Sequence, residues 1–257
     1  MSASVVLAGL VLMMVVMAAL WVVQRRTGNA GIVDAGWSMG VGAAGLIFAA
    51  LGDGDPTRRA LAGVLIGLWS LRLGGYILRR VLTEEEYGRY RRLRDEWGAS
   101  FERRAFVFYQ LQALFAVIFA LPIAVVASSQ KPLGVAEAVA AVGVWLVAVI
   151  GESVADRQLA SFRAQPDNRG RTCRNGLWSV SRHPNYFFEW VHWWSYVVLG
   201  LGAPLGWLTL VGPFAMLVFL LKVTGIPTTE ARAAATRPDY LEYQRTTSGF
   251  IPWFPKR

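Results

Sequence analysis

The sequence has little charge and few of the residues that build metal or disulfide sites. Only 17% of its 257 residues are charged, two are histidine and one is cysteine, whereas soluble domains carry about 25% charged residues. The single Cys173 cannot form an internal disulfide, so cysteine usage leaves the redox compartment open. Two histidines and one cysteine without ligand spacing exclude a metal site. No GxGxxG follows a strand pattern, which excludes a Rossmann domain.

Hydrophobic residues are abundant and come in long blocks. They make up 54% of the chain, in runs of roughly 18–22 residues, about the length that crosses a bilayer as a helix. The first run lacks a basic leader and a cleavage site, which favours a membrane anchor over a removed signal peptide. The sequence therefore predicts one all-α membrane domain over residues 1–257. Its seven predicted transmembrane helices are about 5–23, 31–51, 60–78, 106–127, 133–152, 185–201 and 205–223.

The positive charge follows the predicted topology. The chain has 26 Lys and Arg against 17 Asp and Glu, and alternate links between the spans carry 22 and 3 of the basic residues. This asymmetry predicts an N-terminus outside and a C-terminus in the cytoplasm. Anionic membrane lipids are the second explanation of the charge, and nothing in its distribution indicates a nucleic-acid partner.

The long cytoplasmic segments are expected to be partly helical. Residues 79–104 are dense in mixed charge and predict a helix near the lipid headgroups. Residues 152–176 should extend the fifth span before a break at Pro166. The tail, residues 225–257, predicts two short helices separated by Pro238.

Several polar residues enter the predicted spans, where an ionisable group suggests a functional site. Asp34 lies near the cytoplasmic end of the second span, where capping or an interfacial position is an equal alternative. Arg72 and Tyr76 are spaced i, i+4 and share one face of the third span. Arg72 lies about two turns inside the membrane, although its side chain could reach the interface.

Another polar stripe follows the fifth span. Steps of four and seven place Glu152, Asp156 and Arg163 along one helix face. A salt-bridge ladder on a solvated helix is a serious alternative to a binding role for this stripe.

The stretch "NGLWSVSRHPNYFFEWVHWW" holds both histidines. Pro184 suits the first turn of a helix, and Asn185, Glu189 and His192 then recur on one face. A structural role for Glu189 would require a buried partner, for which Arg72, Arg163 and Arg182 are candidates. His183 could instead cap or stack at the helix start, and His192 is expected to be packed.

Five arginines fall within twenty residues: Arg163, Arg169, Arg171, Arg174 and Arg182. Guanidinium groups match phosphate oxygens in bidentate fashion. The sequence therefore predicts a polar funnel on the cytoplasmic side that accepts a ligand bearing several phosphates.

Two motifs carry a resemblance to a known family. "GLWSVSRHPNYFFEW" and "EYQRTTSGFIPWFP" resemble the C-terminal catalytic half of the steroid 5α-reductase superfamily (the 3-oxo-5α-steroid 4-dehydrogenase C-terminal domain family), most closely its bacterial branch. The resemblance is strong over about 145–257 and weaker back to "IVDAGWSMG" and "LWSLRLGGYILRR". Membrane methyltransferases share a similar RHPNY…E core, but the D-x6-R spacing of Asp156 and Arg163 favours the reductase.

The resemblance implies NADPH as cofactor, bound in a cavity open to the cytosol. Matching family positions that contact NADPH are Asp156, Arg163, Arg171, Asn185, Glu189 and the pair Arg72 and Tyr76. We place Glu152, Arg182, His183 and Tyr186 in the same predicted cofactor site. Glu152 replaces a family asparagine there.

The implied reaction is hydride transfer to the β-carbon of an enone while a donor polarises the carbonyl oxygen. Asp34 is the approximate counterpart of the family's substrate-binding glutamate and serves if burial keeps it protonated. Tyr76 or Tyr186 could replace it as donor, and Trp69 stands where the steroid enzymes have a substrate-side tyrosine. The expected substrate is a lipid or steroid from the bilayer of a bacterial inner membrane, and a monomer is compatible with this function.

Two other functions stay open from the residues alone. The first is a membrane methyltransferase that uses S-adenosylmethionine, for which five loop arginines would be excessive. The second is a non-catalytic lipid-binding or scaffold protein, which leaves Glu189 and Arg72 in the membrane without a role.

Overall fold

The computed structural model describes residues 3–86, 88–223 and 225–255, which form helices and turns without a strand. Ten α-helices follow one another in this described part of the chain. They are α1 (Ala3–Thr27), α2 (Ile32–Leu51), α3 (Pro56–Thr83), α4 (Gly88–Trp97), α5 (Phe101–Ala127), α6 (Val135–Ala164), α7 (Pro184–Leu199), α8 (Val211–Val218), α9 (Ile226–Thr236) and α10 (Tyr240–Thr246).

Six helical segments of the described chain are long and apolar enough to cross a membrane. They are Ser4–Thr27, Ile32–Leu51, Pro56–Thr83, Gly88–Ala127, Val135–Ala164 and Gly206–Thr236. The prediction of an all-α membrane protein is therefore confirmed. The predicted span 185–201 corresponds to α7, which has 16 residues and is about 24 Å long. This length falls short of the roughly 20 residues that a 30 Å hydrocarbon core requires.

The last predicted span, 205–223, is not one continuous α-helix. A 3-10 turn (Gly206–Leu210) precedes α8, and a π-helical turn (Phe219–Val223) follows it. Pro213 lies in the first turn of α8, where a missing N–H costs no helical hydrogen bond. The N–H of Gly225, after the π turn, donates to the Phe219 carbonyl at 3.3 Å.

The chain forms two compact units, and the first comprises residues up to Ala138 together with Tyr196–Gly212. Helices α2 and α3 pack closely in this unit because small residues face each other. A Cβ on Gly42 would lie only 2.1 Å from the Ser70 Oγ atom. The Ser70 hydroxyl donates to the Ser38 carbonyl at 2.9 Å.

A fully buried arginine joins four segments of the first unit. Arg58 has 0% exposure and binds both carboxylate oxygens of Glu137, with Nη1–Oε1 at 2.5 Å and Nη2–Oε2 at 3.1 Å. Its guanidinium also donates to the carbonyls of Lys131, Pro132 and Leu199. The sequence alone identified Arg58 only as one of the few charges on the predicted outer side.

The second unit comprises Val139–Ser195 and the chain from Pro213 onward. Helix α6 continues to Ala164 and breaks into a 3-10 turn at Pro166–Asn168, as predicted. The tail forms α9 and α10 on either side of Pro238, which confirms the two predicted short helices.

Candidate functional site

The structure brings together two of the predicted site residues in the second unit. The Asn185 side-chain amide on α7 donates to Asp156 Oδ1 on α6 at 3.2 Å. The Asn185 Oδ1 atom accepts the backbone N–H of Tyr186 at 3.1 Å, which orients the amide. Glu152, one turn before Asp156, is buried with 5% exposure. The stripe on α6 and the start of α7 therefore form one polar cluster.

A glycine permits the close approach of α6 and α7. A Cβ on Gly151 would lie 2.5 Å from the ring of Phe188, nearer than side-chain atoms normally approach. Because Phe188 lies one turn after Asn185, this contact sets the distance between the polar stripe on α6 and the start of α7.

Glu189 is buried at 7% exposure, and its Oε1 atom accepts the indole N–H of Trp193 at 3.3 Å. Of the arginines considered as its partners, Arg182 pairs with Glu230 instead, at 2.6 Å. His192 is fully buried and contacts Trp193 edge to face, with ring centroids 5.1 Å apart. This position agrees with the expected packing of His192.

Glu230 on α9 belongs to the same cluster of contacts, and the sequence did not identify it as a candidate site residue. Its Oε1 atom accepts from Arg182 Nε at 2.6 Å and lies 3.2 Å from His183 Nε2, while its Oε2 atom accepts from Gln244 at 2.9 Å. Burial lowers the pKa of His183, and the hydrogen bond with Glu230 offsets this only in part. A carboxylate can only accept, so the neutral imidazole carries its proton on Nε2.

Arg182 connects the RHPN segment to the C-terminal tail. Its Nη1 donates to the carbonyls of Gln244 and Thr247 at 2.9 and 2.6 Å, and its backbone N–H donates to the Ser248 carbonyl at 2.8 Å. Three of its five N–H groups thus bind protein acceptors. Arg182 was predicted as a cofactor residue, and in the structure it also holds the C-terminal tail against the RHPN segment.

His183 and Tyr186 form a stacked pair. Their ring centroids are 5.3 Å apart with an interplanar angle of 7°, and the Tyr186 hydroxyl lies 3.3 Å from Thr229 Oγ1. Stacking was one of the two roles considered for His183. The pair gives the polar cluster a flat aromatic surface.

Arg163 and Arg171 are exposed near the end of α6, and in the described residues neither takes part in an ion pair. Arg237, which the sequence did not predict, is partly buried. Its pKa is lowered by burial and by the positive charge of Arg163. Arg163 and Arg237 therefore repel each other, and a bound anion would relieve that repulsion.

The loop that carries Arg171 is fixed to the tail. The backbone N–H and hydroxyl of Thr172 donate to Asp239 at 3.0 and 2.7 Å. Burial raises the pKa of Asp239, but these hydrogen bonds outweigh it and the net pKa is lowered. These hydrogen bonds therefore fix the backbone next to Arg171.

An open cavity of about 410 Å³ also lies in the second unit. Arg157, Gln158 and Asn175 are among its lining residues, and none of the predicted site residues is. Arg157 is about 120° around α6 from Arg163. The cavity thus opens on a different face from the predicted stripe.

The first unit holds the remaining predicted residues. Asp34 lies in the first turn of α2, and its Oδ1 atom accepts the hydroxyl of the buried Tyr90 at 2.7 Å. Trp69 on α3 is fully buried and packs edge to face against Trp37 at 6.3 Å. Further along α3, Arg72 is half-buried and Tyr76 is 43% exposed.

The Asp34–Tyr90 hydrogen bond was not predicted. Tyr90 belongs to α4, in the charged segment 79–104, where the sequence gave no reason to expect a buried side chain.

Comparison with known proteins gives one family. A family model described as a protein of unknown function (DUF1295) matches residues 20–247, and that family is related to steroid 5α-reductase-like membrane proteins. No curated protein and no solved structure matches the chain.

Proposed function

Since the chain belongs to the DUF1295 family, we propose that it is an NADPH-dependent membrane reductase. Its substrate would be an enone lipid, such as a 3-oxo-Δ4 steroid, and its product the saturated ketone. The observation that supports this most is the hydrogen bond of Asn185 with Asp156 on α6, because the same helix carries Arg163, an exposed arginine that forms no ion pair in the described residues.

The donor set of the second unit suits a dinucleotide with a 2′-phosphate. Arg163, Arg171 and Arg237 would bind phosphate oxygens through charge-assisted hydrogen bonds. Asn185 and Asp156 would bind the uncharged amide and hydroxyl groups, and the stacked His183–Tyr186 pair would support a flat ring. The family resemblance adds Arg72 and Tyr76 to the proposed cofactor contacts.

When bound, NADPH would supply the hydride. The chain's own residues would orient the enone and stabilise the charge that develops on its oxygen. Tyr90 donates to Asp34 Oδ1, and this hydrogen bond would orient the carboxyl group that we place at the substrate oxygen. Trp69, fully buried, would exclude water from the reacting carbons.

We propose further that α7 is a seventh span, with the N-terminus outside and the cofactor site toward the cytoplasm. A short helix spans where flanking residues reach the interface or the bilayer thins. The protein would then take its lipid substrate from a bacterial inner membrane and its cofactor from the cytosol, as a monomer.

Cofactor binding to the purified full chain tests the proposal. Asn185→Ala and Arg163→Ala should each weaken NADPH binding by roughly tenfold or more in titration calorimetry, whereas Arg157→Ala should retain it. Loss of nicotinamide absorbance with a panel of enone lipids, steroids included, would then identify the substrate class. Normal NADPH affinity in both site variants would overturn the proposal. Saturable binding of S-adenosylhomocysteine without NADPH binding would favour a methyltransferase.

A further inference from the structure

A groove of about 640 Å³ runs between α2 and α3 in the first unit. Its volume falls within the range of about 300–1,000 Å³ that is usual for small-molecule sites. Its lining is apolar along its length except for Arg59 at one end. None of the residues in the proposed reductase site lines it.

The floor of the groove is formed by glycines and its walls by leucines. A Cβ on Gly63 would lie 3.2 Å from Ala49, and one on Gly67 would lie 3.6 Å from Leu46. Side chains of α2 therefore approach both glycines. Leu46, Leu68 and Leu71 are 47%, 49% and 69% exposed. In a spanning helix pair, such exposed apolar walls face lipid.

Arg59 places a fixed positive charge at the end of the groove. Its Nε and Nη2 atoms donate to the carbonyls of Ala49 and Ala50 at 2.8 and 2.6 Å, in the last turn of α2. These bonds hold the guanidinium at a helix C-terminus, where cations are favoured. Within the described residues Arg59 takes part in no ion pair, and the nearby Asp55 carboxylate caps the Arg58 N–H.

The length of the groove matches one leaflet of a bilayer. Arg59 and Leu71 are twelve residues apart on α3, which corresponds to about 18 Å, just over half of a hydrocarbon core of about 30 Å. We propose that the groove binds one phospholipid, with its phosphate on Arg59 and one acyl chain over Gly63 and Gly67.

A second copy of the chain fits the groove less well. Gly63 and Gly67 form a GxxxG pattern, which pairs helices when both glycines are open to a partner backbone. Here Ala49 and Leu46 of the same chain already approach them. The exposed Leu68 and Leu71 side chains would also hold a second helix away. An acyl chain is thin enough to pass between these walls.

The lipid site does not depend on the proposed reductase function, and binding of lipids to the full chain in detergent tests it. Native mass spectrometry would compare phosphatidylglycerol with diacylglycerol that carries the same acyl chains. We expect phosphatidylglycerol to bind at least about tenfold more tightly, since a charge-assisted hydrogen bond contributes about 1.5–3 kcal/mol. Arg59→Gln should remove this preference, and the control Arg25→Gln should keep it.

A second variant tests the groove itself without changing Arg59. Gly67→Phe should fill the groove and weaken the binding of both lipids. Gly67→Ala adds only a methyl group at ordinary contact distance, so the binding of both lipids should stay unchanged. Equal binding of the two lipids by the unaltered protein would overturn the proposal, as would unchanged binding in Gly67→Phe. A disulfide-linked dimer through Val64→Cys that displaces lipid would assign the groove to a second copy instead.

Discussion

The Nε atom of Arg182 lies 2.6 Å from Oε1 of Glu230, and this ion pair joins the segment before α7 to α9 across 48 positions of the chain. Both side chains are largely buried, at 14% and 15% exposure. The same carboxylate binds His183 and Gln244. The RHPN segment and the C-terminal tail therefore share this one carboxylate, in addition to the hydrogen bonds from Arg182 to tail carbonyls.

Loss of that carboxylate should loosen the tail. In Glu230→Gln the largely buried Arg182 keeps its charge without a partner, which should lower the free energy of unfolding by about 2–4 kcal/mol. Thermal unfolding of the detergent-solubilised protein would measure the loss. Glu242→Gln is the matched control, because the exposed Glu242–Arg174 pair should contribute less than about 1 kcal/mol. Equal melting temperatures for the two variants would contradict the role of Glu230.

The stability of the second unit should fall as the pH decreases below about 6.5. The pKa of His183 is lowered in the folded protein by burial, with Glu230 and Arg182 acting on it in opposite directions. The unfolded chain therefore takes up the proton at higher pH, so stability is complete above the ordinary histidine pKa of about 6.5 and decreases through the folded pKa. Melting temperatures between about pH 8 and pH 5 would show the slope.

His183→Gln should remove that slope while Glu230 keeps an amide donor. Asp239 should contribute a separate loss at more acidic pH, because its pKa is also lowered and the unfolded chain is protonated first. An unchanged slope in His183→Gln between about pH 7 and pH 5 would show that another group titrates there.

Local sequence patterns predicted the helices better than the contacts between them. The extension of α6 to Ala164 and the two tail helices follow from hydrophobic periodicity and the positions of proline, which act over a few residues. Asp156 and Asn185 lie on two polar stripes that the sequence placed at the same membrane border, but their hydrogen bond was not itself predicted. Pattern therefore predicted the helices and the approximate place of these residues, and not the contact between them.

Local patterns could not predict the hydrogen-bond partners of Glu230 and Tyr90. Glu230 meets Arg182 only because α9 folds back onto the start of α7, and Tyr90 meets Asp34 across 56 positions. The mixed charge of segment 79–104 does not predict the burial of Tyr90. The predicted span 185–201 ends two residues after α7, since an apolar run continues past Leu199 while the helix ends there.

If the proposed reductase activity exists, Asp34 and Tyr90 should affect its catalytic rate. Asp34→Ala should lower kcat by about 10²–10³-fold, as loss of an oxyanion donor does, and Tyr90→Phe should lower it less. NADPH affinity should stay unchanged in both. Tyr109→Phe is the control, because its hydroxyl donates to the Ala30 carbonyl and not to Asp34. A wild-type kcat in Asp34→Ala would remove Asp34 from the mechanism.

We expect Arg163 to bind the 2′-phosphate, the group that distinguishes NADPH from NADH. A lost charge-assisted hydrogen bond costs about 1.5–3 kcal/mol, so Arg163→Gln should weaken NADPH by roughly tenfold or more and NADH much less. Arg157→Gln, on the same helix but lining the 410 Å³ cavity, should affect neither dinucleotide. The reverse pattern, with Arg157→Gln weakening NADPH, would move the cofactor to that cavity.

Two glycines of α6 should respond in opposite ways to the same substitution. Alanine is favoured over glycine inside a helix by about 1 kcal/mol. At Gly143 no atom lies within 4 Å of an added Cβ, so Gly143→Ala should stabilise the protein slightly. At Gly151 the added Cβ would meet Phe188 at 2.5 Å, so Gly151→Ala should force α6 and α7 apart and cost about 1–3 kcal/mol.

The same displacement should weaken cofactor binding, because it stretches the 3.2 Å contact of Asn185 with Asp156 one turn away. Phe188→Leu in the Gly151→Ala background removes the ring that causes the overlap, and it should restore both the melting temperature and NADPH affinity in part. A double variant no better than Gly151→Ala alone would mean that the α6–α7 distance is set elsewhere. Recovery of stability without recovery of NADPH binding would separate the packing of these helices from the proposed site.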